Sequence, residues 1–200
     1  MANLNAVSGL SPFGTVTGAP FNEQGQLYAI ANDSSNTYAI GDIVKSAVGN
    51  DANGVALVTK AGATDVPLGV IVGIRVANPG VSLQAGNLDL TKTYISKSSG
   101  SYTYVYVVTD PNVIFKVQAN ASVDTKVGAT AVPTITADQT STLSQNAPYS
   151  ATYVTADSSA TAASMFQVVG VVQTPDNTLG SYNDVLVVFN KHQYKQAFGA

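Results

Sequence analysis

Ten short runs of β-branched and aromatic residues, each bounded by Gly, Pro, Asn, Asp or Ser, direct this chain toward strands. They cover 27–31, 40–47, 54–60, 67–76, 93–97, 102–108, 113–118, 150–155, 165–174 and 184–190, the spacing of a sandwich or barrel. In Ser101–Val108, side chains alternate across the strand, so Tyr102, Tyr104 and Tyr106 share one face while Thr103, Val105 and Val107 share the other. Both faces are therefore at least partly covered. Asp110-Pro111-Asn112 stops pairing, because Pro lacks a donor and Asp and Asn close turns through their own side chains. Val113–Val117 is then expected to return as the partner strand of a hairpin.

Pro67–Val76 and Phe166–Val172 are similar to each other, each setting a Gly inside a Val-rich run. Interior Gly marks a bulge, a bend or close backbone approach. The likeness reads as a Greek-key echo, too short to count as a repeat. Helix signals are poor throughout, and the best of them, Ala160–Met165, amounts to a turn or two.

Residues 1–25 break every regular period with Gly9, Pro12, Gly14, Gly18, Pro20 and Gly25. They are expected to form an extended arm with apolar anchors, lying on its own domain or on a neighbour. Residues 26–200 are expected to form a single β-sandwich domain, with a long loop excursion or a weak pair of edge strands around 121–148, where Ala, Thr, Ser and Asn replace dense apolar alternation. The expected fold is all-β: a β-sandwich or jelly-roll-like body, an extended N-terminal arm and little helix.

Only 10% of residues are charged, against roughly 25% in an average soluble domain, while 45% are hydrophobic. The surface must be unusually neutral, which lowers the desolvation cost of burying it against neighbouring subunits. A net charge of −3 argues against nucleic-acid binding, which needs clustered Lys and Arg, and Arg75 is the only guanidinium. No stretch approaches the ~20 apolar residues of a membrane helix, and the N-terminal Met-Ala-Asn-Leu-Asn lacks a secretory pattern, so synthesis in the cytoplasm is expected. Without Cys there is no disulfide and no thiolate chemistry.

Catalytic patterns are not visible. His192 is the single histidine, no Gly-x-Ser-x-Gly elbow accompanies it, and a hydrogen-bonding role after the last strand is the simpler reading. Asp33, Asp42, Asp51, Asp65 and Asp89 never take the spacing of a calcium loop; Asp51–Gly54 and Asp33–Asn36 read as Asx turns. No enzyme activity, metal or cofactor is expected. The Asn120-Ala-Ser sequon carries no weight without a secretory signal. The tyrosine row could stack sugars, although packing under a loop or across a subunit interface is the favoured reading.

Three segments, Ala2–Leu10, Tyr106–Gln118 and Asp184–Gln193, together resemble small head proteins of tailed double-stranded DNA phages, of the cement or decoration kind. The resemblance implies a β-sandwich or jelly-roll body on the outer surface of the virion's capsid, bridging major capsid protein subunits, often as a dimer or trimer. Isolated apolar residues in irregular sequence are the contact candidates: Leu4, Val7, Leu10 and Phe13 at one end, Tyr194 and Phe198 at the other. The alternative function is a receptor- or glycan-binding β-module of a phage fibre or adhesin.

Overall fold

In the computed structural model, the structure describes residues 3–22, 24–30, 36–75, 93–95, 103–120, 127–136, 139, 149–156 and 164–195. Among them lie thirteen strands and no helix. They are β1 (Ser11–Thr15), β2 (Gln26–Ile30), β3 (Tyr38–Ala39), β4 (Ile43–Asn50), β5 (Ala56–Lys60), β6 (Gly69–Arg75), β7 (Tyr94–Ile95), β8 (Thr103–Val108), β9 (Val113–Gln118), β10 (Thr130–Thr134), β11 (Tyr153–Ala156), β12 (Phe166–Val171) and β13 (Asp184–Phe189). Each of the ten expected runs holds one of them. The all-β body stands, layered as a sandwich is, with one layer closed into a barrel.

That barrel runs β2-β5-β4-β6-β8, antiparallel except where β2 meets β5. The other layer is a six-stranded antiparallel sheet in the order β1-β9-β13-β12-β10-β11. It curls until its edge strand returns to its second strand: Val154 of β11 bridges Ala119 in parallel just past β9, and Asn120 N donates to Val154 O at 3.0 Å. Counting strands of each unit in chain order, β2, β4, β5, β6, β8 and β9, β10, β11, β12, β13, the circuit is the same in both. It passes first, third, second, fourth, fifth, with the first–third contact parallel. The chain thus builds one five-stranded topology twice.

The two Gly-containing runs occupy the same place in that scheme, as the fourth strands β6 and β12. Each carries a bulge at its Gly, between Ile71 and Gly73 and between Val168 and Gly170. The extra residue shifts the side-chain phase, so Ile71 and Ile74 both face the first barrel's core, and Val168 and Val171 both pack on the second unit's core. The sequences at these points, Ile-Val-Gly-Ile and Val-Val-Gly-Val, meet the same geometric need.

Tyr28, Val44, Val58, Leu68, Val105 and Val107 fill the first barrel. Phe115, Phe166 and Phe189 centre the second core, with ring centroids 5.4 and 5.0 Å apart. Ile43, Val70 and Val108, on the outer side of the first barrel, belong to that second core, so the units share one apolar seam. Each such side chain contributes about 1.5–3 kcal/mol when fully buried.

Two expectations are corrected. β9 does not return along β8: the edges of β8 are taken by β2 and β6, those of β9 by β1 and β13. The Asp110 turn forms, with Asn112 N donating to Asp110 Oδ1 at 2.8 Å, but it carries the chain from one unit to the next as Val108 and Val113 both enter the shared core. Of the N-terminal segment, expected to lie on its own domain or on a neighbour, β1 pairs with β9 and Leu10 is buried, so this part lies on the chain's own body. Within 121–148, Thr130–Thr134 is an internal strand between β11 and β12, and Pro133 is accommodated because pairing with β12 covers only Thr130 and Ala131. Residues 160–163 of the suggested helical turn, and 33–35 of the second Asx turn, lie outside the described residues.

Candidate functional site

The N-terminal segment is pinned to the body through polar contacts on either side of an apolar side chain. Asn3 Nδ2 donates to Thr178 O at 2.7 Å and Ser181 O at 3.0 Å, and Thr178 N donates back to Asn3 Oδ1 at 3.0 Å. Gln118 Nε2 holds Leu4 O at 2.9 Å. The Leu4 side chain between these ties is 80% exposed. Val7 is half-buried. Leu10 is 2% exposed inside the shared core, and its N–H donates to Gly41 O, so it is an internal anchor and is withdrawn as a contact for a partner. Phe13 sits at the β1 bulge and is 56% exposed, with Val16 exposed just beyond.

Tyr194 is exposed on the first barrel, its hydroxyl 3.3 Å from that of Tyr28. Burial, helped by Tyr194, pushes the Tyr28 phenol well above its ordinary range. Phe198 lies outside the described residues. Leu4 and Phe13 flank the second unit at opposite ends of β9, while Tyr194 belongs to the first, so the structure does not gather the candidates into one patch.

On the outer face of β8, Tyr104 is buried and its hydroxyl donates to Asp51 Oδ2, while Asn53 Nδ2 donates to the Tyr104 hydroxyl at 3.0 Å. Asp51 Oδ1 also receives Asn53 N at 2.9 Å and Val55 N at 2.8 Å, the Asx turn read from Asp51–Gly54. Burial acts to raise the Asp51 pKa, but the bonds from Tyr104, Val55 and Asn53 together prevail and hold its carboxyl below the usual range. Tyr104 is therefore a packing residue. Tyr106, two residues on, is half-buried beside a cleft of about 970 Å³ between residues 15–22 and 24–26, strands β6 and β8, and the 109–113 crossover.

A buried polar cluster joins the two units. Asp42 and Lys60 form an ion pair at 2.9 Å with both side chains shielded from solvent. The carboxylate further accepts Ala39 N at 2.9 Å, Gln139 Nε2 at 3.0 Å on each oxygen, and the Ser150 hydroxyl. Lys60 Nζ also donates to Thr37 O at 2.9 Å. Beside it Gly9 packs on Gly41 and Ser150, where a Cβ at position 9 would lie 2.6 Å from Ser150 Cβ. In the sequence Asp42 stands as one scattered acid, because its partners lie up to 110 residues away.

His192 is buried against Phe189, ring centroids 5.3 Å apart, and its Nδ1 accepts Tyr194 N at 3.1 Å. Burial pushes its pKa below the ordinary value, with the Leu68 carbonyl and the Asp110 charge opposing. Among the described residues no three His, Asp or Glu side chains are placed to hold a metal, and no helix is long and apolar enough to cross a membrane. No family model, no curated protein and no solved structure matches this chain.

Proposed function

We propose that this chain is a virion structural protein of the cement or decoration kind, binding the outside of an assembled phage capsid and bridging major capsid protein subunits as a dimer or trimer. The observation that carries the reading is the presentation of Leu4. A large apolar side chain stands out in solvent while hydrogen bonds on both sides fix its backbone to the body. Such an anchor loses little conformational freedom on docking. The low charge of the whole chain supports the same use, since neutral surface is cheap to desolvate. The phage setting comes from the resemblance of Ala2–Leu10, Tyr106–Gln118 and Asp184–Gln193 to that family.

The mechanism is thermodynamic. A protein that binds only the finished lattice stabilises it by mass action, and repeated contacts add avidity. The test is co-sedimentation of purified protein with assembled shells, comparing the natural chain with a Leu4→Ser, Phe13→Ser variant. Both side chains are exposed, so folding should survive. Occupancy is expected to fall at least about tenfold, a loss of roughly 1.4 kcal/mol per contact set. Unchanged occupancy would remove the N-terminal segment from the interface.

A further inference from the structure

The cleft at the seam of the two units has a lining that selects a ligand class. We propose that it binds a neutral carbohydrate, with Tyr106 as its aromatic wall. This does not rest on the shell reading, since a carbohydrate site can sit on a shell protein or on any other. Its volume, about 970 Å³, lies at the upper end of the range of small-molecule sites, enough for an oligosaccharide. Thr17, Asn22, Gln24, Thr109 and Asn112 offer hydroxyls and amides that both donate and accept, the pattern a sugar hydroxyl needs. Asp110 is the one carboxylate among the described lining residues, and none of them is cationic. That balance disfavours phosphates, sulfates and acidic sugars.

Tyr106 supplies what the polar groups lack, an apolar ring against which the C–H face of a sugar can lie. Its hydroxyl makes no hydrogen bond among the described residues. Two bare neighbours, Gly25 and Gly73, keep side chains away from it: a Cβ on Gly73 would lie 3.4 Å from Tyr106 Cδ2, and one on Gly25 would lie 3.1 Å from Tyr106 Cβ. The bulge that sets Gly73 in β6 thus also shapes the cleft. Of the tyrosines first grouped on this face, Tyr104 is committed to Asp51, and Tyr102 lies outside the described residues.

The test is saturation-transfer NMR and calorimetry on the full chain with neutral malto-, cello-, chito- and manno-oligosaccharides, using sialyllactose and inorganic phosphate as charged probes. At least one neutral oligosaccharide should bind at millimolar concentration. Tyr106→Ala should weaken it at least about tenfold, Tyr106→Phe and Asn112→Ala less, and Val48→Ser, exposed on β4 and outside the lining, not at all. Should Tyr106→Ala fail to fold, Tyr106→Phe and Asn112→Ala carry the comparison. The proposal is overturned if no neutral oligosaccharide binds, if the charged probes bind better, or if binding is indifferent to these cleft substitutions.

Discussion

Replacing Asp42 by Ala removes the acceptor on which one charge and several neutral donors converge. Lys60 Nζ, Ala39 N, Gln139 Nε2 and the Ser150 hydroxyl would all lose it in a place closed to water. Breaking a buried pair from one side costs about 3–5 kcal/mol, and the extra donors place Asp42→Ala at the upper end. Lys60→Met should cost less, about 3 kcal/mol, because the carboxylate keeps its bonds from Ala39, Gln139 and Ser150. Urea unfolding followed by circular dichroism reads both. With a slope on the order of 2 kcal/mol/M, the midpoint should fall by about 2.5 M for Asp42→Ala and about 1.5 M for Lys60→Met. The double variant should lose at least about 1 kcal/mol less than the two singles together, since residues in direct contact couple. A loss below about 1 kcal/mol for Asp42→Ala, or strict additivity, would refute the view that this cluster fastens Gln139 and Ser150 onto the first barrel.

Three further outcomes are expected. Phe189→Ala, at the centre of the Phe115 and Phe166 rings, should cost about 3–5 kcal/mol by the same unfolding assay. Gly9→Ala should cost about 2–4 kcal/mol, from a φ of 72° and a Cβ forced to 2.6 Å from Ser150, and the thermal midpoint should drop accordingly. The His192 pKa is lowered by folding, so the unfolded chain binds the proton more readily: stability is full above the ordinary value of 6.5 and falls as pH drops through it toward the folded value. Unfolding midpoints compared at about pH 7.5 and pH 5.5 should show this loss, and His192→Gln should abolish it, the chain having no other histidine.

Local pattern located the strands because β-branched alternation and turn residues act over a few positions, and β9 matches its expected bounds at 113–118. Partners were less legible. The Asp110 turn looks like a hairpin turn locally, yet β8 has both edges filled by β2 and β6, a choice made by the whole barrel. Strand β1 was hidden by Pro12 and Gly14, and it exists because β9 offers it an edge. Strand β10 was hidden by its small residues and Pro133. The Gly-marked likeness of 67–76 and 166–172 was visible as a short echo, but only the strand circuits show it to be part of a doubled topology. The Asp42 cluster left no local trace at all, since Lys60, Gln139 and Ser150 are joined to it by folding alone.

Of the candidate contacts, the exposed positions Leu4, Phe13 and Tyr194 were legible as apolar residues in irregular or terminal sequence. Leu10 had the same local signature and the opposite fate, because whether an isolated apolar residue faces solvent depends on what the fold brings over it. Tyr104 and Tyr106 share a strand face, yet only the placement of Asp51 separates a packing tyrosine from one beside a cleft.

The shell-binding reading is tested most directly by a low-resolution map of phage particles purified from a host that makes this chain. The reading predicts a 20.5 kDa density repeated on the outer face of the capsid, across the boundaries between neighbouring subunits. Density of that size confined to a tail fibre, or found nowhere on the particle, would contradict it.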